Sequence, residues 1–188
     1  MASVLKDDVV FSGRVGEVLH TTQPDGRVFE RYRRPPGTRL VIVTPDKKII
    51  MTREHRQETG GVDLRLPGGK VRDTLEEFHK LIENGADIVT ASKEAAIKEG
   101  SEEVGVTINS LELLTKATAG ATVEWDLYYF ITSDYKEKVE GQELGTGEQI
   151  ERVELDPSEI RQAISNGEMQ EWRSVGVLLG LVLPQLEK

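Results

Sequence analysis

The chain has 188 residues, 24 basic against 33 acidic side chains, a formal net charge of −9 and no cysteine. That length suits one well-buried domain with a small extension, and the charge argues against a general nucleic-acid-binding surface. The missing cysteine excludes a disulfide framework, a thiolate zinc site and a cysteine nucleophile.

In chain order, Val9 to Arg33 predicts a β-hairpin. Val9-Val10-Phe11, Arg14 to Leu19 and Val28 to Arg33 are strand-like, and Pro24-Asp25-Gly26 is a turn. A lone hairpin is marginal in water, so this one must pack on something else. Leu40 to Val43 predicts a strand and Asp46-Lys47 a turn. Ile49 to Arg56 predicts a second strand ending in a polar cluster, and Asp63 to Leu66 a short strand that delivers Pro67-Gly68-Gly69. Leu75, Phe78, Leu81 and Ile82 fall at helical spacing before the stop signal Asn84-Gly85. A longer helix is expected from about Thr90 to Gly105, with Thr90 and Ser92 as candidate N-caps.

Leu111 to Leu114 and Thr122 to Ile131 predict strands joined through Ala119-Gly120-Ala121. Residues 140–148 form a polar, glycine-rich loop, and Ile150 to Leu155 a strand. Asp156-Pro157 opens a helix that Asn166-Gly167 ends. A last helix is expected from Gln170 to Leu183, with Trp172, Val175, Leu178, Leu179 and Val182 on its core face. His20, His55 and His79 show no metal-ligand spacing. No apolar N-terminal run reads as a signal peptide. Val175 to Leu183 is too short to span a bilayer and is broken by Pro184, so a cytoplasmic chain without a membrane partner is expected.

The chemistry concentrates between Leu66 and Val106. Glu99 and Glu103, four residues apart, stand one above the other on a helix, and Glu102 flanks them. Carboxylates so placed repel, and Lys98 is the one basic side chain close in sequence. Many glutamate-rich helix faces are merely solvated. A hard divalent cation such as Mg²⁺ would make this one favourable. The upstream Gly68-Gly69 pair lets backbone approach a ligand closely and offers the Gly68 carbonyl to the same cation.

Gly69, Glu99, Glu102, Glu103, Gly105 and Val106 together resemble the Nudix box. Lys98 replaces the family arginine, Gly100 a large apolar residue and Thr90 the first glutamate. Gly69 to Lys98 spans 29 positions where the pattern has 14, so about 15 residues, Asp73 to Asp87, are inserted.

The resemblance implies an α/β fold: a Nudix α/β/α sandwich with a mixed sheet (residues 37–188) and an N-terminal β-hairpin extension (residues 1–36) that dimerises the chain. It implies Mg²⁺, with Mn²⁺ as a substitute, held by Glu99, Glu102, Glu103 and the Gly68 carbonyl, with Glu102 and Glu103 also serving catalysis. The stretch Arg33 to Thr38 is similar to the ADP-ribose pyrophosphatase-like subfamily. That likeness implies substrate contacts from Arg34, Arg56 and Glu124 and a general base from the late loop, Glu148 first and Glu143 in reserve. The subfamily's Ser-Pro-Gly is Thr118-Ala119-Gly120 here. The implied reaction is hydrolysis of a nucleoside diphosphate derivative, ADP-ribose or a nucleotide sugar. A nucleoside triphosphate pyrophosphohydrolase and a non-catalytic nucleotide sensor are the alternatives.

Overall fold

The computed structural model describes residues 7–56 and 60–188. Residues 1–6 of the expected extension lie outside them. The N-terminal segment forms β1 (Asp7–Ser12), β2 (Glu17–Thr22) and β3 (Val28–Arg33), an antiparallel meander. The expected hairpin is the β2–β3 pair, turned at residues 24–26. A fourth strand comes from far along the chain: β9 (Val123–Glu124) runs parallel to β3. The sheet is not left to stand alone. Leu19 is fully buried and Glu17 nearly so.

The inserted residues provide the cover. They form α1 (Leu75–Glu83), capped by Thr74 in a reciprocal box with Glu77 and ending at Asn84. The Leu75 amide donates to the Arg14 carbonyl at 2.9 Å, and His79 meets the Glu17 carboxylate at 3.2 Å. The insertion therefore ties the N-terminal sheet to the rest of its own chain.

The central sheet has β4 (Gly37–Val43), β5 (Ile49–Arg56), β6 (Gly61–Arg65), β8 (Glu112–Ala117), β10 (Leu127–Thr132) and β12 (Ile150–Leu155). Its order is β12-β5-β4-β10-β8, with β6 also on β5. The pair β4–β10 is parallel and the others antiparallel, so the sheet is mixed. A small separate sheet, absent from the sequence expectations, pairs β7 (Val106–Ile108) with β11 (Tyr135–Glu137).

Both faces of β4 are buried, which is why its sequence is a continuous apolar run instead of an alternation. Leu40 and Ile42 pack with Ala96 and Val104 of α2 (Ile88–Val104). Val41 packs on the other face against α3 (Pro157–Ser165) and the C-terminal helices. This is the expected helix–sheet–helix sandwich.

Three expectations change. Helix α2 begins at Ile88, and its cap is Asp87, whose carboxylate accepts from the Val89 and Thr90 amides. Thr90 lies inside the helix and donates its hydroxyl to Asp87, while Ser92 is buried with no partner for its hydroxyl. The single strand expected over Thr122 to Ile131 breaks at Trp125-Asp126, because β9 serves the N-terminal sheet and β10 the central one.

The last helix starts as α4 (Trp172–Val177), passes through a π-turn at Leu178–Val182 and continues as α5 (Leu183–Leu186). The Leu183 amide bonds to the Leu178 carbonyl, five residues back, which rotates the apolar stripe. Leu178, Val182 and Leu183 are buried, whereas Trp172, expected in the core, is 69% exposed.

Asp87→Ala should lower the urea midpoint, because two helix amides lose their acceptor. Ser92→Ala should leave the midpoint unchanged or raise it, since an unpartnered buried hydroxyl is removed. Equilibrium denaturation checks both; the opposite order would contradict the capping assignment.

Candidate active site

Strands β4 and β5 pair only at Ile42–Ile50 and Val43–Ile49 and then part. Past that point the free edge of β4 is taken by the turn that follows β6. The Leu40 amide donates to the Pro67 carbonyl and the Thr38 amide to the Gly69 carbonyl, both at 2.9 Å, and the Val71 amide donates to Pro36. Gly68 lies between these bonded residues, and its own amide donates to Glu103 Oε2 at 2.7 Å. The glycine pair is thus clamped to the sheet on one side and to α2 on the other.

Two glycines make this approach possible. A Cβ on Gly68, whose φ is +147°, would collide with the backbone carbonyl of Thr38. A Cβ on Gly100 would come within 2.8 Å of Ile108 and 3.0 Å of Leu40 side chains. The departure at Gly100 therefore lets α2 lie closer to β4.

A cleft of 790 Å³ opens beside the turn, lined by Glu99, Glu103, Glu148, Glu54, Arg56 and Lys70 among others. Burial raises the Glu99 carboxyl above the ordinary glutamate value, helped by Glu102 and Glu148 and opposed by Lys98. Burial, with Glu99 beside it, pushes Glu103 up to about 8. Two adjacent acids that both resist ionisation, in a cleft open to solvent, form a donor set that a cation would relieve. Among the described residues, no group of three or more histidine, aspartate or glutamate side chains is arranged around one metal position. Glu99, Glu103 and Gly68 are the members of the expected ligand set that line the cleft together.

The other predicted residues divide. Glu102 pairs with Lys98 at 2.8 Å and is absent from the cleft lining. Glu148 lines the cleft and accepts the Gly145 amide at 2.7 Å. Glu143 pairs with Lys138 at 3.0 Å instead of lining the cleft. Arg56 lines the cleft and pairs with Glu54 at 2.8 Å.

Arg34 and Glu124 lie in a neighbouring cleft of 590 Å³, with Phe78, His79 and Ile82 of the insertion and Tyr128. Glu124 is engaged by Arg33 at 2.6 Å and by Arg31, and those arginines also hold Asp7. Arg34 lies 4.3 Å over the Trp125 ring, and Arg173 lies at the same distance from it.

Sequence reasoning missed Arg39. It is the one charge inside the run Gly37–Val43 and is 4% exposed. A charge directly abutting the apolar run Leu40 to Val43 was the available signal. Beneath it, Glu171 accepts from Ser174 Oγ at 2.7 Å, Arg173 Nε at 2.9 Å and Tyr129 Oη at 3.0 Å. Burial acts to raise the Glu171 carboxyl, but Ser174 and Arg173 outweigh it and hold it below its ordinary value.

No family model matches the chain. The crystal structure of an ADP compounds hydrolase superposes on it with a TM-score of 0.62, covering 98% of this chain and 95% of that one at 22% identity. The methanol dehydrogenase activator of Bacillus methanolicus is 23% identical over 176 residues, 91% of this chain and 87% of that protein. What the chain shares with the solved hydrolase is the fold, the expected α/β/α sandwich on a mixed sheet. Among the described residues, no helix is long and apolar enough to cross a membrane.

Because Glu103 has a raised pKa, the folded chain keeps a proton that the unfolded chain releases between the ordinary value of 4.5 and about 8. Metal-free stability should therefore fall as pH rises through that window and level off above it. Glu103→Gln should flatten the slope. Mg²⁺ should raise the melting temperature more at pH 8 than at pH 5, which thermal melts would check; equal shifts would argue against the carboxylate pair as ligand.

Proposed function

We propose that the chain hydrolyses the diphosphate of a nucleoside diphosphate derivative, with ADP-ribose or a nucleotide sugar as the substrate class. One observation carries this reading: two adjacent carboxylates with raised pKa values stand at a clamped glycine turn, in a cleft also lined by Glu148 and Arg56. The shared fold with an ADP compounds hydrolase supports it.

In this reading Glu99 and Glu103 would hold a divalent cation, with Glu102 and the Gly68 carbonyl as further donors. The bound cation supplies charge neutralisation on the diphosphate and a more acidic attacking water. Glu148 would act as the base that takes a proton from the attacking water as its oxygen bonds to phosphorus. The phosphoanhydride bond breaks, and its electron pair leaves with the departing phosphate. Arg56 offers two parallel N–H donors to a phosphate. Arg34 and Glu124 flank the adjoining cleft, which suits the nucleoside. The N-terminal sheet is the proposed dimer contact, since Val9, Val10 and Phe11 of the edge strand β1 are each more than half exposed.

A screen of nucleoside diphosphate derivatives with Mg²⁺, read by mass, tests the reaction. Two monophosphates are expected from a dinucleotide-type substrate. Pyrophosphate release from a triphosphate would move the chain to the pyrophosphohydrolase alternative, and binding without turnover to the sensor alternative. Glu99→Gln and Glu103→Gln should each cut turnover by about 10²-fold or more with the fold intact; full Mg²⁺-dependent activity in both would end the site assignment. Glu148→Gln should lower kcat and flatten the acidic limb of the pH–rate profile, leaving Mg²⁺ affinity unchanged. Sedimentation at micromolar concentration should give a dimer; a clean monomer would end the proposal for the N-terminal sheet.

A further inference from the structure

A second concavity of 240 Å³ adjoins the carboxylate cleft and shares Arg56, Gly68, Gly69 and Lys70 with it. Arg34, Arg39, Arg56, Arg65 and Lys70 line it, and no acid among the described residues does. Nearby acids serve some of these cations. Glu54 holds Arg56 at 2.8 Å and Arg65 at 2.9 Å, and Asp63 holds Arg65 at 3.4 Å.

Arg39 is different. Its Nη1 donates to the Thr38 carbonyl at 2.8 Å, while its Nε is buried with no partner. The Arg34 Nε is likewise buried and unpartnered. Glu171, the nearby acid that most favours the charged Arg39, already accepts from Arg173, Ser174 and Tyr129.

Burying a guanidinium among like charges is unfavourable unless an anion completes it. An aliphatic side chain would pack at this position, as Val41 does two residues on along the same face. An arginine here is therefore explained by a ligand. We propose that this concavity is a phosphate subsite, anchored by Arg39 and assisted by Arg34 and Lys70, that takes the nucleoside-side phosphate ester of the substrate.

The assignment of an esterified phosphate rests on the hydrolase reading. The pocket meets the carboxylate cleft at the glycine turn and the 590 Å³ cleft at Arg34. A diphosphate with one phosphorus among the arginines would place the other beside Glu99 and Glu103. Its nucleoside would then lie towards the insertion.

The test uses the intact, metal-free chain at low salt, with adenosine monophosphate and inorganic phosphate as probes in calorimetric titrations. Both should bind saturably, the monophosphate more tightly. Arg39→Met should weaken both by at least about tenfold. Its melting temperature without ligand should equal or exceed that of the parent, an outcome a purely structural arginine would not give. Arg39→Lys should retain part of the affinity. If Arg39→Met does not fold, Lys70→Gln, at a side chain 49% exposed, should still weaken both probes about threefold.

Unchanged affinity in the folded variants, or no saturable binding by the parent, would overturn the subsite. Phosphate binding as tight as the monophosphate would overturn its assignment to an ester. Binding with no diphosphate hydrolysis under any metal would end the hydrolase reading and leave the subsite standing.

Discussion

The structure depends on how closely α2 lies against the turn at Gly68-Gly69. The turn fills the edge that β4 exposes where β5 leaves it, and its hydrogen bonds to Thr38 and Leu40 fix its path. Glu103 closes the contact from the helix by accepting the Gly68 amide. Glycine at 68 and at 100 is what the available space permits. The same closeness takes Glu99 and Glu103 partly out of water, so the packing that builds the fold also raises the pKa of its two inner acids.

The charges around the turn are sorted. On one side lie the acids of α2 and Glu148; on the other lie Arg34, Arg39 and Arg65, with Arg56 and Lys70 shared between the two sides. Beneath the basic side, a Glu171–Arg173–Tyr129–Ser174 network and the Arg34–Trp125–Arg173 stack give it a rigid floor. Such a division suits a ligand whose two anionic centres are treated differently, one bound by a cation and one by guanidinium groups. The insertion adds a third element. Helix α1 covers the N-terminal sheet through the contact between His79 and Glu17 and turns Phe78 and Ile82 towards the adjoining cleft.

Local signals made much of this legible in the sequence. The apolar run of β4, the helix of the insertion, the stop at Gly105 and the Asp156-Pro157 start each follow from residues adjacent in the chain. The pairing of Glu99 with Glu103 and their position by the glycine turn follow from helical spacing and a known box. Tertiary partners decided the rest. Asp87 outcompetes Thr90 as the cap because its carboxylate reaches two amides. The break at Trp125-Asp126 is invisible to alternation, since it reflects two sheets claiming one segment. Trp172 looks like core by spacing, but it opens α4 and stands exposed at the helix start. Arg39 reads as an edge residue beside an apolar run until both faces of β4 are seen to be covered.

The central claim is that water attacks phosphorus beside the α2 carboxylates. Hydrolysis of ADP-ribose or a nucleotide sugar in heavy-oxygen water, with products read by mass, tests it most directly. One heavy oxygen is expected on the phosphate of one product and none on the other, with labelled product forming about 10²-fold or more slowly in Glu103→Gln. Label on neither phosphate, or labelled product formed by Glu103→Gln at the parent rate, would contradict it.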